Sequence, residues 1–291
     1  MARVAVIGST GQLGHDLVEA LRGTNRFEVV ALDHHRIECT ELDSVRAALL
    51  PLKARAVINC AAFVRVDDCE SQAREAFAVN ALGALYVARA AAESGAKCVY
   101  IGTDYVFDGA KESPYLESDV TVPINVYGAS KLAGEHLVRQ TTPDWLIVRV
   151  ASLFGKTGAR GKGGNFIETI LAKARKGEPL KVVDDILISP TYGRDAAQVI
   201  AQLVAADVRG IVHAANSGVC TWYEFAKTAL ELCQLTAPIE AVPSSQFPTP
   251  ARRAKNSALV SARLLQEFGI TMPHWRDAMR AYLIEKGHLS F

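Results

Sequence analysis

A tyrosine and a lysine, Tyr127 and Lys131, stand four residues apart within a helical pattern at 126–139. Side chains at this spacing share one face of a helix. A phenol ordinarily titrates near pH 10. A cation about 4 Å away, at an effective dielectric constant of about 20, would favour the phenolate by about 4 kcal/mol before desolvation is counted. The pair could therefore exchange a proton with an alcohol or a carbonyl group near neutral pH.

Three glycines near the N-terminus, Gly8, Gly11 and Gly14, follow an apolar run at 4–7 and precede a helical pattern. In such a loop the first glycine permits a tight turn, the second lets the backbone approach a pyrophosphate, and the third lets the helix pack close to the strand. Free amides at the start of the helix then face the phosphates. The spacing is G-x-x-G-x-x-G rather than G-x-G-x-x-G, but its place between a strand and a helix predicts a dinucleotide site.

The end of the second predicted strand bears on which nicotinamide cofactor binds. Asp33 lies about 20 residues past the glycine loop, where an acid accepts a hydrogen bond from the ribose 2′-hydroxyl of NAD. His34, His35 and Arg36 follow at once and could meet the 2′-phosphate of NADP. The sequence leaves both cofactors open.

Thr103 and Asp104 follow the fourth predicted strand. Open α/β sheets bind ligands beyond the carboxyl ends of their strands. The Thr103 hydroxyl could therefore hydrogen bond a substrate oxygen beside Tyr127. Asp104 is open to two interpretations, as a proton relay or as a turn residue.

Apolar runs alternate with helical patterns over the first 150 residues. Strands are predicted at 4–7, 27–32, 56–60, 98–101 and 145–150, and helices at 12–21, 42–50, 69–94 (as one helix or two) and 126–139. Continuous apolar runs are typical of buried parallel strands. The alternation predicts an α/β fold with a Rossmann-like, doubly wound parallel sheet.

The predicted elements become shorter after residue 150. Helices are predicted at 166–176, 195–206, 261–268 and 275–286, a capped helix from Thr221, and strands at 181–183, 186–188 and 210–214. We expect a dinucleotide-binding domain from 1–150 plus parts of 190–215, and a smaller C-terminal α/β substrate-binding region from 151–189 and 216–291. The segment 155–164, rich in glycine and lysine, is interpreted as either a mobile loop beside the cleft or a simple solvated loop.

Composition argues against several classes of protein. The 291 residues carry 32 basic and 31 acidic side chains, so no global field favours nucleic acid or a membrane surface. An apolar run of about 18 residues, as a membrane span needs, is not seen, and neither is a secretory signal. The six cysteines form no C-x-x-C pair and the histidines no H-E-x-x-H spacing. We therefore expect reduced thiols, no metal site and a cytoplasmic protein.

Eight segments of the sequence resemble a single enzyme family. They are GSTGQLG (8–14), NCAAFVRVDDCE (59–70), AVNA (78–81), GTDYVFDG (102–109), PINVYGASKLAGE (123–135), SPT (189–191), ARRAKNSAL (251–259) and PHWRDAM (273–279). On these motifs the chain resembles, nearly end to end, the dTDP-4-dehydrorhamnose reductases of the extended short-chain dehydrogenase/reductase superfamily. The GTDYVFDG and NVYGASKLAGE blocks are specific to this group rather than to the superfamily at large.

The resemblance implies three overlapping sets of site residues. The catalytic set is Thr103, Tyr127 and Lys131. The set that binds NADPH or NADH is Gly8, Gly11, Gln12, Leu13, Gly14, Ala61, Ala62, Asn80, Tyr127 and Lys131. Asp33 joins this set because it lies at the end of the second predicted strand. The substrate set is Thr103, Asp104, Asn165, Arg252 and Ser257. A nucleotide-sugar partner is implied as well, and a homodimer is compatible with the resemblance.

The implied reaction is the reduction of dTDP-4-dehydrorhamnose to dTDP-rhamnose, for deoxysugar and polysaccharide synthesis. A hydride from the nicotinamide would reach the C4 carbonyl of a dTDP-4-keto-6-deoxy-hexose, and Tyr127 would protonate its oxygen. Lys131 would contact the nicotinamide ribose and tune Tyr127.

Several positions depart from the family pattern. Leu153 stands where the family has an aromatic residue of the sugar pocket, Ile186 and Ile188 replace a glutamine and a glycine, and Ala254 replaces a proline. The acidic residue after the second strand is Glu38. All but the last lie on the substrate side, so the hydride chemistry is better supported than the identity of the sugar.

Two other functions compete with this interpretation. The first is a sugar-nucleotide epimerase or 4,6-dehydratase of the same fold. Dehydratases place two acids after the catalytic threonine, whereas only Asp104 follows Thr103 here, before Tyr105. The second is a non-catalytic binding protein similar to the regulatory subunit of methionine adenosyltransferase, against which the intact Tyr127 and Lys131 argue.

Overall fold

The computed structural model describes residues 1–157 and 165–290. Its strands are β1 (Ala2–Ile7), β2 (Phe27–Leu32), β3 (Ala56–Asn59), β4 (Lys97–Thr103), β5 (Trp145–Val150), β6 (Leu153–Phe154), β7 (Leu180–Val183), β8 (Leu187–Ile188), β9 (Thr191–Tyr192), β10 (Gly210–His213), β11 (Cys220–Thr221) and β12 (Ile239–Val242). Most of the segment 155–164, for which two loop interpretations were given, lies outside the described residues.

The described residues also form eleven α-helices. They are α1 (Gln12–Gly23), α2 (Leu42–Leu49), α3 (Val66–Ser71), α4 (Ala73–Phe77), α5 (Gly83–Ser94), α6 (Val126–Thr141), α7 (Phe166–Arg175), α8 (Gly193–Ala205), α9 (Trp222–Leu232), α10 (Ala262–Phe268) and α11 (Trp275–Glu285). A π-helix, Ala78–Leu82, leads into α5. Within the described ranges, the structure has no helix long and apolar enough to cross a membrane.

Six parallel strands form the central sheet in the order β10-β5-β4-β3-β1-β2. Val4 of β1 pairs with Val29 of β2 on one side and with Ala56 of β3 on the other. The strand order therefore reverses beside β1, and this switch point is where open α/β sheets bind ligands. The predicted Rossmann-like sheet is confirmed.

Both faces of the sheet are covered, which explains why its strands are apolar at nearly every position. Val4 and Val6 enter the core beneath α1 and α8, whereas Ala5 and Ile7 enter the core beneath α2 and α5. This alternation follows from the two-residue period of a strand. The carboxyl ends of the strands are thus held by two cores at once.

The long helical pattern at 69–94 is divided in the structure. Gln72, with φ −118° and ψ 47°, ends α3 and precedes α4, and the π-helix then joins α4 to α5. Because the side chains on either side keep a helical period, the sequence pattern does not reveal these breaks.

The C-terminal part is built from three two-stranded sheets, β11-β8, β12-β7 and β6-β9. They pack with α7, α9 and α11 around an aromatic core that includes Phe154, Tyr192, Phe225, Trp275 and Tyr282. β10 returns to the main sheet beside β5. This arrangement is in line with the proposed division of the chain into two regions, which stays a prediction.

Candidate active site

A cleft of about 1400 Å³ opens at the carboxyl ends of the central strands. Its walls come from the glycine loop and the ends of β2, β3 and β4 on one side, and from segments around β7, β8 and 244–257 on the other. Pockets for one small ligand are typically about 300–1,000 Å³. The cleft therefore has room for a dinucleotide and a second ligand together.

The glycine loop has the backbone geometry that its sequence predicts. Gly8 has φ +72°, and a Cβ there would lie 3.0 Å from the Ala61 nitrogen. A Cβ on Gly14 would lie 2.2 Å from the Gly8 carbonyl oxygen. α1 begins after Gly11 and, among the described side chains, none caps it. The first amides of α1 are therefore available to an anion.

The loop after β2 contributes Asp33 and His34 to the cleft wall. One oxygen of the Asp33 carboxylate accepts a hydrogen bond from the His35 amide at 3.1 Å. Arg36 donates to the Ala31 carbonyl oxygen at 3.2 Å. These contacts leave NAD and NADP as open alternatives.

Residues after β3 continue the cofactor side of the cleft. Ala61 and Ala62 line it. Asn80, predicted to bind the cofactor, is instead fully buried, with its amide bonded to the backbone of Phe63 and to the Ser130 hydroxyl. The Asn80 side chain therefore supports the wall from behind, next to the helix that carries Tyr127.

Tyr127 lies in the first turn of α6 and Lys131 one turn later, and both line the cleft. The Asn125 side chain caps this helix by accepting from the Gly128 amide at 2.8 Å. A Cβ on Gly128 would lie 2.1 Å from the Tyr105 carbonyl oxygen. The absence of a side chain at Gly128 thus lets the start of α6 pack against the turn after β4.

Burial raises the pKa of Tyr127 above its usual value, while a hydrogen bond with Thr103 lowers it. The raised pKa leaves the phenol protonated at neutral pH. The Lys131 ammonium lies 4.0 Å from the centroid of the Tyr100 ring. The expectation that Lys131 favours the Tyr127 phenolate stays a prediction.

Lys131 is 2% exposed. Burial lowers the pKa of its ammonium to about 7, and the nearby Glu135 carboxylate acts in the opposite direction. Glu135 is itself held by Arg149 in a buried ion pair of 2.7 Å. The charge of Lys131 thus depends on the Glu135 carboxylate, which Arg149 of β5 holds in place.

Thr103 and Asp104 form a buried hydrogen-bonded pair at the end of β4. The Thr103 hydroxyl donates to one Asp104 carboxylate oxygen at 3.1 Å. The other oxygen is buried without a partner among the described residues. Burial raises the pKa of Asp104 to about 6, while the polar neighbours Ser257 and Thr103 lower it. Asp104 can therefore change protonation state close to neutral pH.

The remaining substrate candidates, Asn165, Arg252 and Ser257, all line the cleft. Arg252 is exposed and Ser257 is buried beside Asp104. The side-chain oxygen of Asn165 accepts from the Glu168 backbone amide and so caps α7. The side-chain nitrogen of Asn165 donates to the Tyr282 hydroxyl. Its polar atoms are thus engaged by the protein itself.

Tyr105 is a site residue that the sequence reasoning did not single out. Its ring meets the Tyr127 ring edge-on, with centroids 5.3 Å apart. The Arg253 guanidinium lies 5.9 Å from the centroid of the Tyr105 ring. The only sequence signal was the position of Tyr105 within the quoted GTDYVFDG segment.

His15, Asp16 and Glu19 bring potential ligand atoms within 4.8 Å of one another on α1. Burial raises the pKa of Asp16 to about 6, while His15 acts to lower it. The sequence analysis did not single out this spacing. The expectation that the chain holds no metal stays a prediction.

Comparison with known proteins places this geometry in a family. A family model described as RmlD substrate binding domain matches residues 2–287. The chain belongs to the dTDP-4-dehydrorhamnose reductase family. It is 39% identical to the spore coat polysaccharide biosynthesis protein SpsK of Bacillus subtilis, covering 98% of each chain. It is 33% identical to a dTDP-4-dehydrorhamnose reductase of Escherichia coli, covering 97% of each.

Solved structures of this reductase family superpose along nearly the whole chain. A dTDP-4-dehydrorhamnose reductase from Bacillus anthracis, in complex with NADP, has a TM-score of 0.93 at 34% identity and covers 98% of this chain and 100% of its own. A UDP-glucose 4-epimerase from Thermus thermophilus, in complex with NAD, has a TM-score of 0.83 at 20% identity, covering 97% and 98%. The second likeness shows the fold alone.

Proposed function

We propose that the chain reduces the C4 keto group of a dTDP-4-keto-6-deoxy-hexose, converting dTDP-4-dehydrorhamnose to dTDP-rhamnose with NADPH or NADH. The observation that carries the proposal is that a single cleft is lined by Gly8, Tyr127 and Arg252. Gly8 belongs to a dinucleotide-binding loop, Tyr127 is a proton donor, and Arg252 carries a positive charge suited to a diphosphate. Relatives over the full length are named for this reaction.

The residues at the glycine loop fit a nicotinamide dinucleotide. A Cβ at Gly8 or Gly14 would approach neighbouring backbone at 3.0 Å or less, so the chain comes close to itself there. The amides of α1 would hold the pyrophosphate, and Ala61 and Ala62 would lie along the dinucleotide. When bound, the reduced nicotinamide supplies a hydride to the carbonyl carbon of the substrate.

Tyr127 supplies the proton that completes the reduction. Its raised pKa keeps the phenol protonated at neutral pH, so its hydroxyl can hydrogen bond the substrate carbonyl. As negative charge develops on that oxygen, the phenol transfers its proton, and the ketone becomes a secondary alcohol. Thr103, hydrogen-bonded with Tyr127, orients the phenol. This direction of transfer suits a reductase.

Cofactor oxidation, followed at the nicotinamide absorbance with dTDP-4-keto-6-deoxy-L-mannose, tests the proposal. We expect turnover with NADPH, NADH or both, and the preferred cofactor decides between Asp33 and the group His34, His35 and Arg36. The Tyr127→Phe variant should lose about 10²–10⁴-fold in kcat and still bind cofactor, because only the proton donor is removed.

Two results would contradict the proposal at different points. Full turnover by the phenylalanine variant would show that Tyr127 is not the proton donor. A wild-type protein that binds cofactor yet oxidises none with this sugar would point to another keto-sugar or to a binding protein.

A further inference from the structure

An ion pair joins the two sides of the cleft. Asp67 lies on α3, on the dinucleotide side, and Arg253 lies 186 positions away on the substrate side. The Arg253 guanidinium donates to one oxygen of the Asp67 carboxylate at 2.8 Å. The other oxygen accepts from the Ala251 amide at 3.2 Å. A single carboxylate thus binds both the backbone and a side chain of residues 251–253, here named the strap.

Arg252 lies in the middle of the strap. Its carbonyl oxygen accepts a hydrogen bond from the Asn125 amide at 2.9 Å, and Asn125 also caps α6. Its side chain is exposed along the cleft wall. Among the described carboxylates, none forms an ion pair with Arg252. Both neighbours of Arg252 are held by Asp67, so the backbone that carries the Arg252 side chain is fixed beside the cleft.

The strap also touches the wall behind Tyr127. Arg253 lies over the Tyr105 ring, and Tyr105 meets the Tyr127 ring edge-on. A strap released from Asp67 would therefore leave Arg252 and the outer side of Tyr105 less ordered. Tyr127 itself is held from the other side by α6 and by Thr103. Binding at the strap should thus be more sensitive to Asp67 than the proton transfer is.

We propose that Asp67 is a positioning residue which, through Arg253 and the Ala251 amide, holds the strap so that Arg252 meets the diphosphate of a nucleoside diphosphate sugar. The inference rests on the proposed function, because it assumes that the second ligand of the cleft is such a molecule. A preorganised guanidinium gains affinity because less side-chain and loop freedom is lost on binding. Arginine also matches phosphate oxygens with paired donors.

A double-mutant cycle on Asp67→Asn and Arg253→Gln tests the proposal. Each single variant should raise the KM for the nucleotide sugar about tenfold, the equivalent of about one charge-assisted hydrogen bond. The double variant should show about the same tenfold rise rather than a hundredfold one, because both changes break the same Asp67–Arg253 contact. The kcat should stay within about twofold of the wild type, and the Kd of NADPH should not change.

The matched control is Glu93→Gln. Glu93 pairs with Arg46 at 2.7 Å, and the exposed fractions of these side chains, 41% and 38%, resemble the 26% and 38% of Arg253 and Asp67. The Arg46 pair joins α2 to α5, away from the cleft. Loss of this pair should leave the KM for the nucleotide sugar and the Kd of NADPH unchanged. Thermal unfolding of all variants should stay close to wild type, since exposed pairs contribute about 1 kcal/mol or less.

Calorimetric titration with dTDP separates this inference from the proposed function. A tenfold weaker Kd for dTDP in Asp67→Asn supports the strap whether or not the protein turns over a keto-sugar. An unchanged dTDP Kd in Asp67→Asn would overturn it. A cycle in which the two effects multiply, or an equal loss of NADPH and dTDP affinity, would also overturn it, because either result indicates a general disturbance rather than a shared contact.

Discussion

The two sides of the cleft are built in different ways. The dinucleotide side of the cleft is mainly backbone, with Gly8 and Ala61 just after β1 and β3 and Gly14 in the first turn of α1. The substrate side is lined by side chains on short strands and loops. There a single residue often serves the fold and the cleft together, as Asn165 does by capping α7.

This difference determines how each side can vary. A backbone site tolerates almost no added atom, because the chain already approaches itself closely. A side-chain site can change its ligand by substitution, provided that contacts such as those of Asp67 keep the loops in place. Leu153 and Ile188, two departures from the family pattern, line the cleft and were assigned to this second side.

The largest effect should come from adding one atom on the dinucleotide side. In Gly14→Ala the new Cβ would lie 2.2 Å from the Gly8 carbonyl oxygen, so the loop must move. A displacement of about 1 Å at a binding or reacting group can cost on the order of a hundredfold. We expect cofactor affinity to fall by about that factor, measured as the Kd of NADPH by fluorescence.

Gly23→Ala is the control for this substitution. It lies in the same helix, and a Cβ there meets nothing within 4 Å. Its Kd for NADPH should match the wild type. If Gly14→Ala bound NADPH as tightly as Gly23→Ala, the close approach of α1 to the glycine loop would not matter for the cofactor.

The same contrast explains how far the sequence alone could go. The sheet, the glycine loop and the positions of Tyr127 and Lys131 follow from local periodicity and from the rules of parallel sheets. The family prediction is confirmed by the match over residues 2–287. These features depend on residues that are close in the sequence or on where strands end. Both can be predicted from one amino-acid sequence.

Features that depend on distant residues were not predictable. The contact of Asp67 with Arg253 spans 186 positions, and its two residues lay in quoted motifs without any sign that they meet. Nothing in the sequence indicated that the Lys131 ammonium lies over the ring of Tyr100, which comes from β4. Spacing on one helix fixes which face a side chain shares, but not which partner it finds.

A smaller effect is expected at Asp104, where the two sides of the cleft meet. Its pKa in the folded state is raised to about 6 from a usual value of 3.8. The folded state therefore holds the proton more tightly, and the stability gained from that proton is present below about pH 4 and is lost as the pH rises through 6. Asp104→Asn does not titrate, so it lacks this dependence.

Urea unfolding at pH 4 and pH 7.5 measures the difference. Relative to Asp104→Asn, the wild type should lose roughly 2 kcal/mol of unfolding free energy between these pH values, most of it above pH 5. Asp43 is exposed, and the free energy of unfolding of Asp43→Asn should change between the two pH values by the same amount as that of the wild type. A constant gap between wild type and Asp104→Asn would mean that Asp104 is solvated and has an ordinary pKa.

The smallest effect separates fold from ligand at Asn165. Its side-chain oxygen accepts from the Glu168 amide at 3.0 Å, and its nitrogen donates to the Gly155 carbonyl at 3.1 Å and to the Tyr282 hydroxyl at 2.7 Å. Loss of a helix cap costs about 1 kcal/mol. Asn165→Ala should therefore lower the unfolding free energy by about that amount and change the sugar KM by less than about twofold.

Asn165→Ser supplies the decisive contrast, since serine can cap a helix but has no amide group. If the residue serves the fold, serine should recover most of the stability that alanine loses, and both variants should keep their KM. If its amide binds the sugar nucleotide, both should raise KM by a similar factor although only alanine is unstable. The second pattern would make Asn165, like Arg252, a ligand contact. The hydrogen bonds that Asn165 forms within the protein would then be exchanged for bonds to the ligand when it binds.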